Sequence, residues 1–239
     1  MEDINKIIKT IENHSKKIKF TESDHSYKFS NNNLTAVSNC ISRFKKPFDS
    51  DTIASNYAKK RKLNTQDVLK QWETKKNNAC DLGHKVHDFA EKYVNDRTLV
   101  PEIPHQEAVV KFFKDLPKTR IPIMTETTVY SEELGYAGTF DILFYDTEKK
   151  GLIPTDWKTN EDLYKNFRGQ TMLVPFDFLL DMPLNAYCLQ LSYYQIPLED
   201  LGLNVIDREI VWLKPDGTYE VIKADDYTQH IRYYQSLVN

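Results

Sequence analysis

The sequence predicts a single mixed α/β domain, on three observations. Three consecutive β-rich stretches, residues 121–130, 137–145 and 152–158, stand between segments of helical spacing. No internal repeat, low-complexity tract or linker divides the 239 residues. The composition, 40% hydrophobic, 12% aromatic and 28% charged, is that of a globular chain long enough to bury a core without staples.

The elements follow in order. Ile4, Ile7, Ile8 and Ile11 recur at helical spacing and predict an amphipathic helix over 3–17. Ile18, Phe20, Tyr27 and Phe29 flank a polar stretch and predict a hairpin, which Asn31-Asn32-Asn33 ends in a turn. A short helix is predicted from Thr35 or Ser38 to Phe44, broken by Pro47. Another carries Ile53, Tyr57 and Ala58. Thr65 opens the next, and a separate strong helix is predicted over 83–95. Ala108–Leu116 is helical, and Pro117 ends it. In the first β-rich stretch Ile121, Ile123, Thr125, Thr127 and Val129 alternate against Met124, Glu126, Thr128 and Tyr130. Glu132–Gly135 turns the chain into the second strand, and the third follows; together they predict an antiparallel meander. Residues 159–182 read as a long loop. Pro183 suits the first turn of a helix continuing through 196. Val205–Leu213 and Thr218–Ile222 are strands around the turn Pro215-Asp216-Gly217, and Asp225 and Asp226 cap a last helix.

Composition also excludes. No apolar run approaches the ~20 residues that span a bilayer. The start, MEDINKIIKTIENH, lacks the apolar core of a secretion signal. Cys40, Cys80 and Cys188 are scattered with no CxxC pair, which excludes a zinc knuckle and predicts a reducing cytoplasm. A net charge of −3 argues against a broad DNA-coating surface, while leaving room for a local basic groove.

Three constellations carry chemistry. In GYAGTFDILFYDTEKKGLIPTDWK, residues 135–158, Asp141 lies on one strand and Asp156 and Lys158 on the next. Period-2 geometry puts Asp156 and Lys158 on one face and Trp157 on the other. If that face meets Asp141, two carboxylates and an ammonium converge, and a hard cation such as Mg²⁺ is their natural companion. The alternative is a cross-strand Asp–Lys pair. In GHKVHDFAEKY, residues 83–93, His87 and Glu91 share a helical face opposite Val86, Phe89, Ala90 and Tyr93. This is either a metal-ligating face or a solvated His–Glu pair. Gln190 and Tyr194 are likewise i and i+4, and read either as a polar edge of the core or as a brace for a catalytic lysine.

Taken in order, Gly83-His84-Lys85-Val86-His87 with Glu91, Tyr136-Ala137-Gly138-Thr139-Phe140-Asp141, Asp156-Trp157-Lys158-Thr159 and Gln190-Leu191-x-x-Tyr194 resemble a family. They are similar to the RecB-like branch of the PD-(D/E)XK nucleases, in the pattern of mitochondrial genome maintenance exonuclease and its phage relatives. The resemblance spans about residues 83–194. Earlier parts match loosely, through His25-Ser26-Tyr27 and Pro47-Phe48-Asp49. Thr155 stands before Asp156, so the family's Pro-Asp dipeptide is absent.

The resemblance implies a central mixed sheet flanked by helices, with an αβββαβ restriction-endonuclease-like core over 83–239 and a mainly helical region over 1–82. It implies that His87, Asp141, Asp156 and the Trp157 carbonyl hold Mg²⁺ or Mn²⁺, that Lys158 assists the attacking water, and that Gln190 and Tyr194 support the site. Glu91 and Glu126 are lesser candidates, behind the ligands. Three scattered cysteines predict no iron–sulfur cluster. The activity implied is hydrolysis of DNA at its ends, single- or double-stranded, in repair, recombination or replication, in a bacterial or phage-infected cell. An endonuclease of the same fold and a silent nucleic-acid-binding module are the alternatives. For DNA contact the candidate cations are Lys45-Lys46, Lys59-Lys60-Arg61-Lys62, Lys75-Lys76 and Lys165 to Arg168, of which Lys59, Lys60, Arg61 and Lys62 are preferred, with Tyr136 or Tyr164 as a stacking ring.

Overall fold

The computed structural model describes residues 2–21 and 26–238. His25 and the rest of the stretch between the first two strands lie outside the described residues. The elements are α1 (Glu2–Ser15), β1 (Ile18–Thr21), β2 (Ser26–Phe29), β3 (Asn32–Ala36), α2 (Val37–Ser42), α3 (Ser50–Arg61), α4 (Thr65–Asn95) and α5 (Pro104–Asp115). They continue with β4 (Arg120–Ser131), β5 (Tyr136–Asp146), β6 (Gly151–Lys158), α6 (Pro183–Asp200), β7 (Glu209–Leu213), β8 (Tyr219–Lys223) and α7 (Thr228–Val238). The architecture is mixed α/β, a central sheet of parallel and antiparallel strands between helices.

β5 is the axis of the sheet. β4 pairs antiparallel along one edge, Arg120↔Asp146 through Ser131↔Tyr136. The other edge is shared. β3 takes its start in parallel, Thr35↔Tyr136 and Ala36↔Ala137, and β6 takes its end antiparallel, Ile142↔Thr155 through Asp146↔Gly151. The two leave a gap beside residues 138–141. Beyond Thr155, β6 turns away from β5 and runs parallel to β7, Asp156↔Ile210 through Lys158↔Trp212. Pro154 has no N–H to offer a neighbour, and the β7 ladder begins one residue after it.

Each face of the sheet buries its own core. On one side α6 packs against Phe140, Leu143, Tyr145, Leu152 and Ile210. On the other, Val86, Phe89, Ala90 and Tyr93 of α4 and Phe112 of α5 cover Ile142, Phe144, Ile153, Trp157 and Val211. The helical face read from the sequence for α4 is therefore the buried one. α6 begins with Pro183 at its first turn and is buried on nearly every side, which is why its sequence shows little amphipathic contrast.

Several expectations change. The short helix expected from Thr35 or Ser38 to Phe44 occupies only 37–42, because Leu34, Thr35 and Ala36 are drawn into the sheet between β2 and β5. The two helices expected over 65–95 are one helix of 31 residues. The Asn64 side chain caps it, accepting from the Gln66 and Asp67 N–H groups at 2.8 and 3.4 Å. Residues 73–81 are exposed throughout, so that stretch bridges two packed ends with solvent around it. The strand expected from Val205 starts at Glu209: Val205 makes only an isolated bridge to Leu152, and the Arg208 side chain turns inward to Gln195 and the Ala224 carbonyl. Among the described residues no helix is long and apolar enough to cross a membrane.

Candidate metal centre

The site lies where β5 and β6 part. With no ladder bond available there, Asp141 supplies the acceptor: its Oδ2 takes the Trp157 N–H at 2.6 Å. Its other oxygen faces His87 Nδ1 of α4 at 3.3 Å. Period-2 alternation slips at this point. Phe140 and Leu143, three residues apart, both join the α6-side core, while Ile142 joins the other. Across the ladder, Thr125↔Ile142 and Thr127↔Phe140 bracket Glu126 opposite Asp141. Glu126 has φ +43, a left-handed backbone that a glutamate enters only under constraint.

Asp156 is 1% exposed, on the side of β6 away from Trp157, and its Oδ2 is ion-paired with Lys158 Nζ. That ammonium lies 4.4 Å from the ring centroid of Tyr187 on α6, and the Tyr187 hydroxyl donates to Asn160 Oδ1 at 3.0 Å.

The charges shape one another. Burial would lower His87, but the Asp141 carboxylate outweighs it and lifts the imidazole to about 9. Burial would raise Asp141; His87, with help from Lys158 and the Trp157 N–H, holds it below the ordinary carboxylate range. Asp156 is raised by burial and by Asp141 despite its lysine. Lys158, though buried, is pushed above its usual range by Asp156 and Asp141. Glu126, exposed at the rim of the group, is pushed up to about 8, first by crowding of its carboxylate by neighbouring protein and then by Asp141.

Among the described residues, His87, Glu126 and Asp141 form the group able to hold a metal, with one donor atom from each within 4.8 Å of the others. One imidazole nitrogen and two carboxylate oxygens fit Mg²⁺, or Mn²⁺ with its greater tolerance of nitrogen. Asp156 adjoins this group, with its carboxylate engaged by Lys158. Glu126 thus stands nearer the centre than its lesser rank in the sequence suggested. Its signal was available: pairing outward from the turn at 132–135 sets Glu126 opposite Asp141. Glu91 faces a hollow of about 420 Å³ together with His84, His87 and Glu126.

A larger cleft of about 1490 Å³ also reaches His87. Lys70, Lys75 and Lys76 of α4 line it with Lys158 and Lys165, together with Asp67, Glu161 and Asp162, and Lys75 is ion-paired with Glu161 at 2.8 Å. The cations expected at Lys59, Lys60, Arg61 and Lys62 are exposed at the end of α3 and do not line this cleft. Tyr136 requires a correction. It is fully buried and its hydroxyl donates to the Tyr193 carbonyl at 2.9 Å, so no base can stack on it. Its position at the β3–β5 junction, under α6, is what encloses it. Tyr164 remains open to solvent.

Gln190 and Tyr194 come together as expected, the Gln190 amide donating to the Tyr194 hydroxyl at 2.7 Å. Gly138 makes room for that tyrosine. A Cβ there would sit 2.5 Å from Tyr194 Cε1 and 3.0 Å from Val37 Cγ2. Gly138→Ala is expected to cost about 1–3 kcal/mol by overpacking. In a Tyr194→Leu background most of that cost should vanish, as urea denaturation of the four proteins of the cycle would show. An undiminished cost would place the strain elsewhere.

Fold and site together define a mixed α/β protein with a His–carboxylate centre and a buried lysine at a fork in its sheet. No family model matches the chain, and no curated protein matches it.

Proposed function

We propose that this protein is a divalent-metal-dependent deoxyribonuclease of the RecB-like PD-(D/E)XK type, an exonuclease working at DNA ends in repair, recombination or replication in the cytoplasm. The observation that carries this reading is the convergence at the β5–β6 fork of Asp141, Asp156 and Lys158 with His87, beside an open cleft edged by lysines. His87, Asp141 and Glu126 would hold Mg²⁺ or Mn²⁺, with Asp156 and the Trp157 carbonyl as the further oxygens that the family resemblance implies. Such an ion, when bound, neutralises phosphate charge and lowers the pKa of a water molecule.

The chain's own residues do the rest. Two carboxylates keep Lys158 protonated, so it serves as a fixed cation toward the scissile phosphate and the attacking oxygen, and not as a base. Lys70, Lys76 and Lys165 draw the phosphate backbone into the cleft, and Lys75 joins them on exchanging Glu161 for a phosphate. Gln190 and Tyr194 brace the sheet behind Asp156.

The test is cleavage of end-labelled linear single- and double-stranded DNA with Mg²⁺, Mn²⁺ or EDTA, beside a closed single-stranded circle. Metal-dependent shortening of linear DNA, absent on the circle, is the expected result. Cutting of the circle would make the enzyme an endonuclease. No cleavage with any metal would overturn the enzyme reading and leave a binding module.

A further inference from the structure

We propose that Phe167, backed by Arg168, is the platform on which an unpaired base of the substrate strand stacks beside the catalytic cleft. The inference rests on the nuclease reading and adds to it a residue that positions the strand. Phe167 is 65% exposed, in the 159–182 connection between β6 and α6. A single exposed aromatic is ordinary; its setting here is not. The Arg168 guanidinium lies 5.0 Å from the Phe167 ring centroid, which pairs a π-surface with a cation at one point.

The turn that presents them is held in shape. Arg168 and Gly169 are successive left-handed residues, φ +56 and +69. The Asn166 amide donates to the Gln170 and Asp181 carbonyls at 2.8 and 2.9 Å. The Gln170 N–H closes on the Phe167 carbonyl at 3.1 Å, and the Asp181 N–H on the Gln170 carbonyl at 2.8 Å. Below the turn, Leu163, Met172, Phe176 and Leu179 are buried in the α6-side core. The ring is thus displayed on a scaffold fixed in advance, which reduces the ordering cost of binding.

Its place favours nucleic acid as the occupant. Lys165, two residues earlier, lines the cleft with Lys158. The same connection reaches the catalytic lysine through Asn160 and Tyr187. A ring flanked by cations at 165 and 168 suits a base with phosphates on either side, since stacking tolerates any base and the cations meet the backbone. Phe178, also exposed in this connection, packs instead toward Tyr227 and His230 and is the internal control.

The experiment is a fluorescence-anisotropy titration with a labelled single-stranded oligonucleotide and an abasic strand of equal length, Ca²⁺ replacing Mg²⁺. Phe167→Ala is expected to bind the base-bearing strand about fivefold or more weakly. It should bind the abasic strand as the wild type does, and Phe167→Trp should keep wild-type affinity. In Mg²⁺, cleavage by Phe167→Ala should show a raised KM with kcat unchanged. Unaltered affinity in Phe167→Ala, an equal loss on the abasic strand, or an equal loss in Phe178→Ala would overturn the proposal. If the wild type still degrades DNA, the nuclease reading survives that outcome; a wild type that neither binds nor cuts DNA overturns both.

Discussion

Lys158→Met is expected to slow DNA cleavage by about 10²–10³-fold at saturating metal and to cost about 3–5 kcal/mol of folding stability. Both effects follow from one ammonium. Lys158 has a side chain 12% exposed, and the Asp156 side chain to which it is paired is 1% exposed. Removing the cation leaves a buried carboxylate without its counter-charge, which costs far more than an intact pair contributes. The pH dependence has a definite sign. Asp156 is already raised in the folded protein, so it favours folding below its unfolded value, near 3.8, and loses that advantage as pH rises through the folded value. Without Lys158 the folded value climbs further. The deficit relative to wild type should therefore be small near pH 5 and should grow as pH rises above about 7, the wild-type folded value, in urea denaturation at pH 5, 8 and 9. Adding Asp156→Asn to Lys158→Met removes the stranded charge and should restore most of the stability and none of the activity. A Lys158→Met protein as stable as wild type at pH 8 would mean that the pair is not buried as described.

Asp141→Asn is the second large effect, with the opposite balance. The fold should stand. The asparagine oxygen can keep the Trp157 N–H, and its amide can donate to a neutral His87 Nδ1, so neither neighbour is left without a partner. What is lost is charge. Affinity for Mn²⁺ should fall at least about 100-fold, by isothermal titration calorimetry, and cleavage with it. A proton titration of His87 by NMR in metal-free protein gives an independent reading. In the wild type the imidazole is held at about 9 by Asp141. Its contribution to stability is complete below its unfolded value, near 6.5, and is lost as pH rises through about 9. In Asp141→Asn the principal charge opposing burial is gone and the smaller pull of Asp156 is countered by Lys158, so His87 should titrate well below about 9 and that loss of stability should shrink accordingly. An unchanged His87 titration would show that Asp141 is not its partner.

The readings that succeeded share a physical basis. Val86, Phe89, Ala90 and Tyr93 face the core because helical spacing and burial are the same fact seen twice. Asp156 and Lys158 share one face of β6, and Trp157 takes the other, because a strand alternates strictly wherever its pairing is regular. The pair Gln190 and Tyr194 meets because i and i+4 always meet on a helix. The failures share a basis too. β3 is not legible because Asn32 and Asn33 signal a turn and Thr35 a helix start, whereas these five residues become a strand once β2 and β5 supply partners. One continuous α4 could not be read through 73–81, since a stretch exposed on all sides has no apolar rhythm.

By itself the sequence determined the mixed α/β class, the periodic elements and the residues able to do chemistry, because each depends on spacing along the chain. Only the tertiary structure decided how those residues converge. The fork between β5 and β6 depends on β3 and β6 competing for a single edge of β5. At that fork the β5 alternation slips a residue and brings Asp141, with Glu126 beside it, toward His87. Tyr136 vanishes beneath α6 for the same reason, since the start of β5 is covered on an edge and a face that the local pattern does not report. Pairing and enclosure are relations between distant segments, and local periodicity carries no record of which segments meet.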